Sequence, residues 1–303
     1  MAELSLHNLT SPMLLQGNSH TAYRDPAAIY HEGVFRLYYT LTETELDGSI
    51  YMYTAMSESA DLVAWSDPMK LTPRDQSLNF SSPGNIIRFN DRFVMCLQTY
   101  SRPNGEKYGN SSSRIWTMES KDLVHWTMPE LLLLKGTEVE AEQMGRMIDP
   151  YLIESKDDPG KWWCFYKQNG VSLSYSYDLV HWTYYGHESA GENVCILHVK
   201  DQAEEPYVMF HSPENGIGIM RSDDLKTWTH QQPLLTLGQQ QWDWARGRIT
   251  AGFVLDCREV EGIKKFLMFF HGSGPEDEQV IFDTHACIGI AWSDDLADWH
   301  WPE

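Results

Sequence analysis

The chain has 303 residues, 42% of them hydrophobic and 13% aromatic, with 12 Trp, 15 Tyr and a formal net charge of −20. That charge speaks against nucleic acid or anionic membrane as the main partner, since both need a cationic surface, and no apolar run approaches the ~18 residues of a membrane span. The first residues carry no basic stretch followed by a long apolar run, and the five cysteines (Cys96, Cys164, Cys195, Cys257, Cys287) form no C-x-x-C pair, so buried free thiols and a cytoplasmic setting are expected.

Strand-like runs of β-branched and aromatic residues come in pairs split by turn residues. In chain order they are 26–31 and 34–39 around Glu32-Gly33; 84–89 and 92–97 around Asn90-Asp91; 151–153 and 162–166 around a turn rich in Asp, Pro and Gly; 193–199 and 206–210; and 252–257 and 266–270. A third run follows, as at 50–55 and 216–221. Each unit then closes on one motif, Asp-Leu-x-x-Trp preceded by Ser, at 57–65, 120–126, 176–182, 222–228 and 293–299. Five such repeats predict an all-β fold, a five-bladed β-propeller with four antiparallel strands per blade, as a single domain over 1–303. Residues 1–20 are the candidates for the outer strand of the last blade. A motif present in all five units is expected to be structural. The Trp-Asp signature and upstream Gly-His of WD-type interaction propellers are absent.

In a blade the start of strand one and the end of strand two share a face, so residues just before strand one should ring that face near the axis. Those stations read Arg24-Asp25-Pro26, Ser81-Ser82-Pro83, Ile148-Asp149-Pro150, Gly191-Glu192-Asn193 and Arg248-Ile249-Thr250, with carboxylates in three of the five. The ends of strand two add Thr40, Gln98, Lys167, His211 and His271. Glycoside hydrolysis needs a protonated donor at the leaving oxygen and a second carboxylate across the sugar ring, and a third carboxylate supplies a field that keeps the donor protonated.

These residues and this repeat resemble glycoside hydrolase family 43 and its five-bladed relatives in families 32, 62, 68 and 117, over almost the whole chain. The resemblance implies a glycosidase taking an oligosaccharide substrate (arabinosyl, xylosyl, galactosyl or fructosyl) in carbohydrate metabolism or polysaccharide degradation, inverting, with no required cofactor. It implies Asp25 as general base, Glu192 as general acid and Asp149 as the residue that orients the acid and tunes its pKa. Ser82-Pro83 is similar to the blade-two Ala-Pro station, and His271 to a blade-five histidine that stands near the axis beside a calcium or a water cluster. On a family 32 pattern Asp25 is instead a nucleophile. Substrate binding is expected from Arg24, Ser82, Gln98, Lys167, His211, Arg248 and His271. The chain departs from the pattern in three places. Glu192 is followed by Asn193-Val194 where the family has Gly-Pro, the Asp149–Glu192 interval is short, and Arg24 and the segment 242–248 suit an acidic or unusual sugar. Glu188, Glu204, Glu205 and above all Glu214 are rival acids. A non-catalytic carbohydrate-binding propeller remains as an alternative. So does a phosphate-dependent glycoside phosphorylase similar to family 130, with Arg24, Arg146, Arg246 and Arg248 as its basic cluster.

Overall fold

The computed structural model describes residues 4–275 and 282–302, which form five antiparallel sheets around an axis. Strand β1 (Met13–Leu15) precedes the first complete blade, β2 (Thr21–His31), β3 (Val34–Thr44), β4 (Ile50–Ser59) and β5 (Met69–Lys70). Blade two is β6 (Phe80–Phe89), β7 (Arg92–Thr99), β8 (Ile115–Ser120) and β9 (Glu130–Leu131). Blade three is β10 (Ile148–Glu154), β11 (Trp162–Lys167), β12 (Val171–Ser176) and β13 (Thr183–Glu188). Blade four is β14 (Glu192–His198), β15 (Tyr207–Ser212), β16 (Ile217–Ser222) and β17 (Thr229–Leu235). Blade five has β18 (Arg248–Cys257), β19 (Lys265–Ser273) and β20 (Cys287–Ser293), with β21 (Trp299–His300) at its edge.

The ring closes with strands from both ends of the chain. β1 pairs with β20 at Met13↔Gly289 and Leu15↔Ile288, and β21 takes the next stretch of the same strand at Trp292↔His300 and Ser293↔Trp299. The expectation that residues 1–20 supply an outer strand of the last blade is met, and β21 shares that role.

The second strand of each blade is buried almost throughout, because neighbouring blades cover both of its faces. This explains continuous apolar runs such as Trp-Trp-Cys-Phe-Tyr in β11 and Phe-Leu-Met-Phe-Phe in β19, where a one-sided sheet would alternate. All five cysteines are free and buried, Cys96 and Cys164 of them on second strands.

The repeated motif is a turn that wedges blades together. In blade two the Ser120 hydroxyl oxygen accepts from Leu123 N (2.9 Å) and Asp122 Oδ1 accepts from Val124 N and His125 N, which replaces the turn's missing backbone bonds. The leucine of each copy stands in the left-handed region, with φ between 61° and 67°, and is buried. The indole N–H of Trp65, Trp126, Trp182 and Trp228 donates to the carbonyl of its own motif leucine at 3.0–3.3 Å. Three of the motif indoles pack edge-on against the second strand of the preceding blade, in Tyr38–Trp126, Phe165–Trp228 and Phe210–Trp299.

Candidate active site

Strand one of every blade breaks its ladder at the same place. The register shifts fall between Arg24 and Ala27, Ser81 and Asn85, Ile148 and Tyr151, Glu192 and Cys195, and Thr250 and Phe253. At each bulge one residue takes a left-handed φ: Asp25 at 48°, Ser82 at 43°, Asp149 at 52°, Asn193 at 53° and Ala251 at 51°. Bulges re-aim side chains and gather beside active sites, and left-handed non-glycine residues carry strain that surrounding structure must hold. These five residues and the ones that follow them line a narrow cavity of about 20 Å³ on the axis.

The bulge corrects the sequence-based alignment in two blades. Proline marks it in blades one to three, but Val194 and Gly252 follow in blades four and five, so the station centres on Asn193 and Ala251. Two of the five bulged residues are therefore carboxylates, and Glu192 stands one residue earlier, level with Arg24 and Ile148. Asn193 takes the backbone conformation that glycine adopts most readily and asparagine next, so Asn in place of the expected Gly after the acid fits the local geometry. The strand-two residue paired with this level in blade four is Ser212 rather than His211.

A second regularity stitches three of the blades to the next. Thr40 Oγ1, at the end of strand two of blade one, accepts from Ser82 N of blade two at 2.7 Å. Gln98 Oε1 of blade two accepts from Asp149 N at 2.5 Å, and Ser212 Oγ of blade four accepts from Ala251 N at 2.9 Å. Thr40 also donates to Asp25 Oδ2 at 2.9 Å, and Ser82 Oγ donates to Asp149 Oδ1 at 2.9 Å. Both carboxylates are thereby fixed by hydroxyls whose own positions depend on a blade–blade contact. Replacing Thr40 by the isosteric Val leaves Ser82 N without its acceptor and frees Asp25. We expect a loss of about 1–3 kcal/mol in denaturant titration together with at least tenfold lower turnover. Unchanged turnover would mean that Asp25 needs no such anchor.

Above the narrow cavity opens a pocket of about 350 Å³, lined by Arg24, Asp25, Gln98, Tyr100, Tyr108, Arg146, Ile148, Asp149, Glu192, Asn193, Arg248 and Phe282. The three predicted carboxyl residues thus share one pocket. Arg24, Gln98 and Arg248 also line it. Ser82, Lys167, His211 and His271 do not. Ser82 acts from below through Asp149. Lys167 lies half-buried opposite Ile148 in the ladder. His211 Nδ1 accepts from Gly191 N at 2.8 Å, which fixes the backbone just before Glu192. Burial pushes the His211 imidazole down to about 4, with His230 and Lys167 adding to the effect, so it is the neutral acceptor this bond requires. Of the rival acids, Glu214 is exposed and outside the lining set, Glu188 ends the outer strand β13, and Glu204 and Glu205 lie in the turn before β15.

Asp149 is 7% exposed, and burial pushes its carboxyl up to about 8, with Glu192 and Asp25 reinforcing the rise and Ser82 and Arg146 opposing it. The folded state therefore binds this proton more tightly than the unfolded chain. Its contribution to stability is complete below the ordinary carboxylate pKa near 4 and is lost as pH rises towards about 8. Asp149→Asn should then raise Tm relative to the wild type at pH 8–9, with the gap narrowing towards pH 4. Parallel melting curves across that range test this, and a pH-independent gap would contradict it.

His271 is fully buried beside Arg24 and Arg248. Burial and then those two cations depress its pKa, and its Nε2 has no hydrogen-bond partner among the described residues. The described residues here do not fit a calcium site: two guanidinium groups repel a divalent cation, and no group of three His, Cys, Asp or Glu converges there among the described residues.

The least legible part of the site comes from the long connections. Buried Asp283, between β19 and β20, accepts from Arg102 Nη1 at 2.8 Å and stands 3.6 Å from Arg24 Nη1, while Arg24 Nε lies 3.9 Å from Asp25 Oδ2. Tyr100 and Tyr108 come from the β7–β8 connection.

No family model and no curated protein matches the chain. Solved structures do. A thermostable family-43 glycoside hydrolase superposes with TM-score 0.59 at 15% identity, covering 91% of each chain. The catalytic domain of the Coprinopsis cinerea GH62 α-L-arabinofuranosidase gives 0.65 at 13%, covering 92% of this chain and 94% of that one. A glycosyl hydrolase from Bacteroides ovatus gives 0.69 at 13%, covering 97% and 94%. The fold is that of the five-bladed glycoside hydrolases. Likeness at this identity carries the architecture, and the chemistry must be argued from the pocket.

Proposed function

We propose that the protein is a glycosidase that cleaves a short oligosaccharide in this pocket. The observation that carries the reading is the convergence of Asp25, Asp149 and Glu192 on one pocket, where burial raises the Asp149 carboxyl. Asp25, held by Thr40, takes a proton from the water that attacks the anomeric carbon. Glu192 gives a proton to the leaving oxygen, and Asp149, whose carboxyl burial raises to about 8, lines the same pocket beside it. The proton gained by Asp25 returns through solvent to complete the cycle. The similar structures include an exo-1,5-α-L-arabinanase from a bovine ruminal metagenomic library and a GH62 hydrolase in complex with xylotriose, which supports a plant-type pentosyl substrate. Five buried free thiols support a reducing, cytoplasmic setting. The test is turnover of a panel of aryl glycosides and short oligosaccharides, with NMR of the first anomer released. An inverted product supports Asp25 as base, a retained product makes it the nucleophile, and sugar binding without turnover points to a lectin-like role.

A second reading, phosphorolysis, is favoured by Arg24, Arg146 and Arg248 together in the pocket wall. The fourth candidate, Arg246, pairs with Asp243 outside the lining set. Release of a sugar phosphate only when phosphate is present would select it.

A further inference from the structure

Arg146 stands out in the pocket wall. It lies between the 3-10 turn Ala141–Met144 and β10, three residues before Asp149, and is half-buried. Its Nε donates to Gly109 O at 3.0 Å, and its guanidinium carbon lies 5.6 Å from the Tyr100 ring centroid. Gly109 itself rests on that ring, since a Cβ there would come within 2.6 Å of it. The side chain is thus pinned from two sides. Yet no described carboxylate forms an ion pair with it, and its two terminal nitrogens have no partner among the described residues. Arg24, by contrast, has Asp25 and Asp283 beside it.

A guanidinium pinned in the wall of a pocket, with its terminal nitrogens unpaired among the described residues, is placed to meet an acidic group on a ligand. The rest of the molecule makes the position more unusual, because the chain carries −20 overall and yet concentrates arginine here. A neutral sugar needs hydroxyl contacts, which the hydroxyls of Tyr100 and Tyr108 can supply. A carboxylate uses the planar fork of an arginine, which matches its two oxygens.

Resting on the glycosidase reading, we propose that the oligosaccharide recognised here contains a uronic acid, whose carboxylate is held by Arg146 with Tyr100 beside it. The assignment concerns binding and specificity. Arg146 touches the substrate's acidic group, while the bond-breaking groups remain Asp25 and Glu192.

The test uses matched pairs: glucuronic and galacturonic acid against glucose and galactose for calorimetric binding, and uronic-acid-containing oligosaccharides against their carboxyl-reduced forms for turnover. The wild type should prefer each acidic member by at least about tenfold, as a charge-assisted hydrogen bond supplies. In Arg146→Gln that ratio should collapse to near one, and Arg146→Lys should restore part of it. No preference in the wild type, or one that persists in Arg146→Gln, overturns the proposal. So does a preference met equally well by inorganic phosphate with release of a sugar phosphate. Uronic acid binding without any turnover would sink the glycosidase reading and leave the binding site standing, so the two can fail separately.

Discussion

Glu192→Gln and Asp25→Asn should each lower kcat/KM by more than about a hundredfold on the best substrate of the panel, as expected when a general acid or base is removed. The two variants should differ in how the loss depends on the leaving group. Glu192→Gln removes proton donation to the leaving oxygen, so an aryl glycoside with an acidic phenol should recover much of its rate, whereas Asp25→Asn should stay slow on every substrate. Neither change should unfold the protein. Glu192 and Asp25 line an open pocket, and the amides are close in shape to the acids they replace. The wild-type rate should also fall as pH rises past about 8, where Asp149 loses its proton and brings a further negative charge into the pocket. If Glu192→Gln costs less than tenfold on both activated and unactivated substrates, the acid is another residue, and Glu214 would be the next to replace.

The second large effect comes from one methyl group. Gly84 follows the blade-two bulge, and a Cβ there would sit 1.7 Å from the carbonyl oxygen of Pro150 and 2.8 Å from Cys96 Sγ. The nearer of these is backbone, so no rotamer change relieves the contact. Pro150 is the residue after Asp149, and relief by movement would displace the carboxyl as well. Gly84→Ala should cost more than about 3 kcal/mol, the upper range for overpacking. At about 2–4 °C per kcal/mol for domains of 150–250 residues, Tm should drop by roughly 6–12 °C. Activity lost per folded molecule should exceed that of a surface variant with the same Tm. A Tm within about 2 °C of the wild type would mean that the blades separate here more easily than their packing implies.

Much of the fold was legible because the propeller repeats its physics. A serine, an aspartate, a left-handed leucine and a tryptophan must recur wherever the same outer turn is made, so five copies betray five blades. Strand length was less legible. β2 runs over Thr21–His31, whereas the apolar pattern starts only at Pro26, because the Asp-Pro bulge interrupts alternation inside a continuous strand. The same cause misplaced the station in blade four, where Val194 follows the bulge in place of proline. Asp25, Asp149 and Glu192 were found because carboxylates before an apolar run are conspicuous. Ser212 and Asp283 were not, since a serine among apolar residues and an aspartate in a long connection carry no local pattern. Asp283 can be recognised only once Arg24 and Arg102, from two other blades, are seen to meet it.

The way β20 is completed orders events during synthesis. Its outer neighbour β1 is made well before β20 itself. Blades one to four can gather as an open arc while the ribosome is still working, but β1 has to wait, unpaired, for a partner more than two hundred residues downstream. The pocket has walls from all five blades, so it has no existence in that arc. Closing the ring and creating the pocket are one event, and the pocket cannot hold a ligand before β20 has found β1.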